Sequence, residues 1–446
     1  MRTIKQNIAW ALVTLLPGAY VSLTFARLDA QAAPAAVAPG SNVGFQLPTV
    51  GGTLSYAATV SEALIFGYNG NGGTGSSTVF SGDVGYLSVS PTHPFSVVYS
   101  GGYLASTGGQ PNSVYQNLAV SQVLRAGRWN FIAADVVSYL PQTAIGGLSG
   151  VPGVGDLSTL PGQDGTGFTQ GILSRNDARV DNATSGSVIR NLTESTSANA
   201  TGVYAIERFF GSSNTQPLGF GNPGYGLDSN SITGSAGLSH RIDARNTIGA
   251  SYTYSHFKYL LAVPFSFTTQ TGSLEYTRVL TRQLTLFASA GPQRTSSSNP
   301  LLSAPSLNVG ANADLTYAGE RTLYAVNYTR GVNNGSGIIA GSRVDALSLN
   351  ANHSLDRNWS VSGSASYAHS VSLPNLLLPS FSAQTFAIGV QTTRTLRRNL
   401  FGFASYTIQR QTTKGFAQTS DLYSGTSQIL GVGITYSPRP IQLGRR

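Results

Sequence analysis

The chain has no cysteine. That excludes a disulfide scaffold and any metal site built on thiolates. Charge is scarce: Asp, Glu, Lys and Arg make up 10% of 446 residues, against the ~25% usual in soluble proteins. Long apolar runs are missing as well. After the first thirty residues no segment approaches the ~20 consecutive apolar residues of a membrane-spanning helix, and mean hydropathy is −0.01. A bundle of spanning helices is therefore excluded. Catalytic signatures are lacking: there is no H-x-x-H, P-loop, G-x-S-x-G or cluster of paired carboxylates. Gly237-Leu-Ser239-His240 is the closest approach, and its spacing is wrong for a nucleophile elbow. No cofactor or metal is expected.

What the chain has is alternation. Residues 359–367 read WSVSGSASY, and 430–436 read LGVGITY. The stretches 248–254 (IGASYTY) and 307–317 (LNVGANADLTY) do the same. A period of two places successive side chains on opposite faces of a strand. One face is apolar; the other carries Ser, Thr, Asn, Gly and an occasional Asp. With 41% hydrophobic residues in such a pattern, disorder is a poor reading. The strands are too many for one sandwich. Strands of about ten residues, apolar on one side and small-polar on the other, suit an all-β, closed antiparallel transmembrane barrel with lipid outside and water inside.

The N-terminus reads as an export signal. Arg2 and Lys5 form a basic start, Ile8 to Phe25 is mostly apolar, and Ala30-Gln-Ala32 is a cleavage site of the A-x-A type. Residues 1–32 are thus expected to be a signal peptide and 33–53 a periplasmic lead-in. Absence of cysteine suits passage through an oxidising periplasm, where stray thiols would mispair.

Tight turns recur near 243, 281, 319, 356 and 397, spaced 37 to 41 residues apart. Each joins two alternating strands through two or three polar residues that include Arg. A propeller blade of similar length would hold four short strands; these units hold two long ones. Between the tight turns lie longer loops, such as 211–230 and 412–424. Short turns at one end and long loops at the other is the asymmetry of outer-membrane barrels, whose short turns are periplasmic. Eighteen strands are predicted over 54–437 (range 14–18), and an even number places both termini in the periplasm. Residues 141–178 form one long irregular segment, rich in Gly, Pro and Asp. It reads as a constriction folded into the lumen or as an extracellular flap.

The last strand carries Leu430, Val432, Ile434 and Tyr436 on one face. Here the chain resembles the Gram-negative outer-membrane β-barrel, porin-like families over roughly residues 54 to 436. In those families the last strand is amphipathic, ends near an aromatic residue and is read by the barrel-assembly machinery. The resemblance implies that machinery as a partner during biogenesis, with outer-membrane lipid around the finished barrel. A basic tail, 438–446, departs from families whose chain stops at the aromatic residue.

Strand-internal charges should face the lumen, because Arg or Lys on the lipid face near the midplane costs ~2–4 kcal/mol. By parity Asp83, Glu207, Glu275, Asn308, Asn312 and Asp314 are expected to line the pore. Asp135 is ambiguous, since both faces of its strand are apolar. Glu62 falls on the apolar parity, which suggests a bulge or a misplaced strand. Interfacial girdles facing lipid are expected from Trp129, Tyr252, Tyr276, Tyr324, Tyr328, Trp359, Tyr367, Tyr406 and Tyr436. Basic residues gather at turns instead: Arg125, Arg128, Arg241, Arg245, Arg278, Arg282, Arg357, Arg397 and Arg398. That dispersal, with a pI near 9.7, does not make a nucleic-acid surface. The function expected is a porin-like channel for passive diffusion of small hydrophilic solutes. A structural, export-associated or surface-receptor barrel without an open pore is the second reading, and a barrel enzyme the third. Neither the solute nor the oligomeric state can be read from the sequence.

Overall fold

A computed structural model describes residues 52–68, 73–88, 90, 93–107, 112–140, 178–210, 228–260, 265–298, 305–333, 341–374, 382–414 and 425–443. The predicted signal peptide, most of the lead-in and the segment 141–177 lie outside the described residues.

Alternation along the chain produces strands and little else. In order they are β1 (Gly52–Tyr68), β2 (Gly73–Ser88), β3 (Phe95–Ser106), β4 (Ser113–Ala126), β5 (Trp129–Leu140), β6 (Ala178–Asn191), β7 (Thr196–Phe210), β8 (Ser229–Arg241) and β9 (Asn246–Tyr259). There follow β10 (Phe265–Val279), β11 (Leu284–Ser297), β12 (Ser306–Ala318), β13 (Thr322–Asn333), β14 (Ser342–Ser354), β15 (Trp359–Ser372), β16 (Ser382–Arg397), β17 (Leu400–Lys414), β18 (Gly425–Tyr436) and the short β19 (Ile441–Leu443). No helix among the described residues is long and apolar enough to cross a membrane.

Each strand from β1 to β18 pairs antiparallel with its chain neighbour. The ring closes because β18 also pairs with β1, from Ala58↔Tyr436 to Phe66↔Gln428. The fold is therefore a closed 18-stranded antiparallel barrel, and closure leaves no edge strand. Pro438 and Pro440 cannot donate to a ladder and end β18 after Tyr436. The chain then resumes as β19, which lies against Gly52–Leu54 and lengthens β1's partner past the barrel rim.

Wall strands hold 12 to 17 residues. At ~3.3 Å per residue and a tilt of ~40°, twelve residues rise roughly 30 Å, enough to cross the ~25 Å apolar band of such barrels. Turns at one end are tight. Gly127 takes a left-handed φ of 60° in the β4–β5 turn. In the β8–β9 turn the Asp243 carboxylate accepts the N–H groups of Arg245 at 2.6 Å and Asn246 at 2.9 Å. Asp356 repeats this in the β14–β15 turn with Asn358 at 2.6 Å and Trp359 at 2.8 Å.

Directly paired residues share a face. Tyr328, Leu347, Tyr367 and Phe386 run in one such row across β13 to β16. On this face stand the most exposed large apolar side chains, Leu274 at 74% and Leu307 at 75%. The opposite face of β9 and β10 holds Phe257, Tyr259, Phe265 and Phe267, and Val332 and Leu373, which share the outer parity of β13 and β15, reach this buried cluster where those strand ends fold inward. Residues from β9, β10 and β13 can meet in this way inside the ring, so that face is the interior.

Candidate functional site

The interior face is built mainly from short hydroxyl and amide side chains, which the strict alternation delivers from every strand. They pair across strands: Thr59 with Thr435 at 2.9 Å, Ser77 with Ser106 at 2.8 Å, and Ser197 with Ser239 at 2.7 Å. Carboxylates punctuate this lining. Glu275 accepts the Ser251 hydroxyl at 2.5 Å. Asp314 is buried and accepts the Asn327 amide, which also reaches Asn312 at 3.3 Å. Glu207 is buried directly opposite Asp181, accepts the Ser229 hydroxyl at 3.4 Å and stands near Tyr259. Asp83 is exposed on the same interior face.

All six residues expected at the pore, Asp83, Glu207, Glu275, Asn308, Asn312 and Asp314, thus stand on the interior parity. Asp181 joins them and was not singled out in the sequence; its parity opposite Val180 and Asn182 was the available signal. The two acids whose parity was ambiguous or apolar in the sequence stand on the outer face. Asp135 pairs with Val120 and Thr184 on the outer face, where it accepts the Thr184 hydroxyl at 2.5 Å and the Asn182 amide at 3.1 Å. Glu62 is also on the outer face and accepts the Thr78 hydroxyl at 2.5 Å. Its register is unbroken from Ala58 to Phe66, so no bulge accounts for it. An open groove lies over this outer surface, lined by Val60, Glu62, Thr78, Arg394, Val432 and Ile434. It forms because Gly402 and Ala404 leave the wall low between taller neighbours.

The interior narrows on one side. Phe257 stacks on Phe267 at 4.7 Å and Tyr259 on Phe265 at 5.6 Å. Opposite them the wall leaves its regular path. β12 and β13 stay paired only as far as Ala311↔Arg330. Beyond that point the end of β13 leans inward, and the Val332 N–H donates to the Gln293 side chain at 3.0 Å, across β12. Gln293 in turn donates to Thr271 at 3.1 Å. Gly341 completes the inward fold with φ of 81°; a Cβ there would meet Leu373 at 2.7 Å and Phe267 at 2.8 Å. Nothing in the alternation singles out this apolar projection. It depends on the end of β13 folding inward past β12 towards β11 and β10, a contact remote in sequence.

The nine expected girdle aromatics all stand on the outer parity. Trp129, Trp359 and Tyr436 sit at strand termini by the tight turns, while Tyr252 and Tyr406 stand near strand centres. Arg190 lies over the Trp129 ring at 4.8 Å and Arg394 over Trp359 at 5.0 Å. Further outward basic residues, including Arg208, Lys258, Arg294 and Arg410, stand at the far ends of their strands. His240 bonds Thr196 at 2.9 Å and His353 bonds Thr322 at 2.7 Å, both at the tight-turn end. Among the described residues no three His, Cys, Asp or Glu converge as a metal site.

No protein-family model matches the chain, and no curated protein sequence does. Solved structures similar to it include Pseudomonas aeruginosa OpdQ, at 13% identity and TM-score 0.41, covering 87% of this chain and 99% of that one. Pseudomonas aeruginosa OccK2 (OpdF) in complex with glucuronate has 13% identity and TM-score 0.43, with 90% and 99% covered. The FrpB iron transporter from Neisseria meningitidis has 8% identity and TM-score 0.41, with 86% and 81% covered. A closed 18-stranded ring, apolar outside and polar within, is the architecture of a transmembrane β-barrel.

Proposed function

We propose that the chain is an outer-membrane channel through which small hydrophilic solutes diffuse passively. One observation carries this reading. The ring is closed, its exterior is an apolar wall, and its interior is lined with hydroxyls, amides and carboxylates. Rings of 16 to 18 strands are wide enough to hold water. Sixteen or more tilted strands also need no catalytic residue to move solute; the lining alone sets which solutes pass. The tight turns and both strand-bearing termini then face the periplasm, and the long connections face outward from the cell. No enzymatic role is proposed. The barrel-assembly machinery would read β18, whose outer face ends in Tyr436.

Single-channel recording of the purified full chain in a planar bilayer tests the reading. Discrete conductance steps are expected. Silence would favour the second reading, a structural or export barrel, for which the inward aromatic projection is the supporting observation. Replacing Phe257 and Phe267 together with serine separates the two: a channel narrowed by these rings should conduct more, and a barrel closed elsewhere should not.

A further inference from the structure

The ladder between β12 and β13 stops at Ala311↔Arg330. Yet β12 stays paired with β11 as far as Thr295↔Ser306, and β13 with β14 as far as Asn333↔Ser342. Continued register would set Gly310 against Gly331 and Val309 against Val332. Instead Val332, of outer parity, is buried inside with Phe257, Phe265 and Phe267, and its N–H goes to the Gln293 side chain at 3.0 Å. Val309 keeps Pro292 on β11 and has no residue of β13 opposite it. A second lapse lies close by. The β10–β11 ladder is interrupted between Thr271↔Gln293 and Leu274↔Ala290, where Pro292 has no N–H to donate. Outside these interruptions stand Val309 and the two most exposed large apolar side chains among the described residues, Leu274 and Leu307. At ~3.3 Å per residue and a tilt of ~40°, Gly310 lies roughly 18 Å above Tyr317 at the tight-turn end, in the upper part of the ~25 Å apolar band.

We infer that the β12–β13 seam is a lateral passage by which an uncharged, apolar molecule about one aromatic ring wide moves between the lumen and the lipid. Irregular backbone at membrane depth persists only where protein or a water-filled cavity serves its polar groups. Here the end of β13 leans into the lumen instead of sealing the wall. An apolar path then runs from the aromatic cluster inside, past Val332, to Val309 and Leu307 outside. A hydrophilic solute gains nothing from that path, because hydrocarbon lies beyond it. The cluster's rings and aliphatic side chains solvate no charge, so the passenger is uncharged. Gln293 ties the β13 end back towards β10, holding Val332 on one side and Thr271 at 3.1 Å on the other. The inference goes beyond diffusion of hydrophilic solutes and rests on the membrane-spanning reading, not on an open pore.

The chain's lack of cysteine allows a reversible staple across the seam. Gly310→Cys and Gly331→Cys set two thiols opposite each other by continued register. Both positions have room: a Cβ at Gly331 comes no closer than 3.8 Å to Gln293, and one at Gly310 meets the Thr271 methyl at 3.2 Å. The full chain is expressed in cells whose outer leaflet is lipopolysaccharide, and entry of N-phenyl-1-naphthylamine, an uncharged dye that fluoresces in hydrocarbon, is timed. Wild type should admit the dye at five or more times the rate of cells lacking the chain. Joining the thiols with a short methanethiosulfonate cross-linker should cut that excess at least fivefold, and dithiothreitol should restore it. Ionic conductance of the purified variant should stay within twofold throughout. Phe257→Ser with Phe267→Ser should lower dye entry at least threefold without lowering conductance. No excess entry in the wild type, or an excess that stapling leaves untouched, overturns the lateral passage and leaves the channel reading standing. A staple that lowers conductance as much as dye entry puts the dye in the main lumen and also overturns it. A chain absent from the membrane fraction overturns the membrane-spanning reading as well.

Discussion

Leu347 and Ser348 are adjacent in β14 but meet different solvents: Leu347 is exposed on the apolar exterior and Ser348 faces the interior. Arginine at Leu347, mid-strand, should cost ~2–4 kcal/mol, whereas arginine at Ser348 can reach water. We expect Leu347→Arg to reduce the yield of folded barrel in outer membranes several-fold and Ser348→Arg to leave it within twofold. Equal yields would refute the assignment of faces. Trp359 would be a blunter probe. It opens β15 with Arg394 already over its ring, and near the interface an arginine costs only ~0–1 kcal/mol. Gly341→Ala tests the inward projection. With φ of 81° and Leu373 and Phe267 in the way, alanine should destabilise by ~1–3 kcal/mol, read as a lower midpoint of thermal unfolding in detergent. An unchanged midpoint would mean the projection is not packed. Legibility at this scale divides the same way. Parity gave the interior place of Glu275 and Asp314 because one residue's face follows from its neighbour's. Gly341 could not be read, since its requirement comes from Leu373 and Phe267, which only the folded ring brings near.

At the scale of elements the hairpin was the readable unit. Asp243 and Asp356 recur at matching turn positions because a carboxylate two or three residues ahead of a backbone N–H closes a turn. Strand ends were less readable. β2 starts at Gly73, inside a Gly/Ser/Thr stretch that resembles a loop, because pairing with β1 supplies what local propensity lacks. β19 was hidden by Pro438 and Pro440, which read as a tail until β1 offered a partner. The Asp243 turn has a pH signature. Hydrogen bonds from the Asn246 amide at 2.7 Å and then from the Arg245 N–H hold its carboxyl below the usual carboxylate range. Its support is therefore present above the unfolded value of ~3.9 and is lost as pH falls through the lower folded value. Asp243→Ala should slow refolding into detergent at pH 7 relative to the wild type, and the difference should shrink below pH 3. A difference that persists at low pH would show that the carboxylate charge is not what closes the turn.

Over the whole molecule, charge is sorted by face and height. The described carboxylates on the interior of the wall, Asp83, Asp181, Glu207, Glu275 and Asp314, have no basic residue among them at mid-height. Arg125 and Arg241 share the interior parity but sit at the last positions before the tight turns. Arg179 shares the interior register parity at the long-loop end of β6, and the remaining described arginines of strands and turns occupy the turns themselves or the outer face near strand ends. An ion crossing the lumen would thus meet a cationic periplasmic mouth and an acidic middle. Side-chain charge rings bias entry by sign, and an exposed charge acts on passing ions more than one covered by neighbours. The middle should favour cations mildly, with the mouth working against it. Asp83 is exposed and Glu275 partly so, while Asp314 is buried under Asn327. Neutralising Asp83 and Glu275 together, to Asn and Gln, should shift the reversal potential in a salt gradient toward anions. Asp314→Asn alone should shift it less. If Asp314→Asn has the larger effect, the permeation path runs along β12 rather than past β2. If neither changes it, the acids are structural and selectivity lies in the connections at the long-loop end.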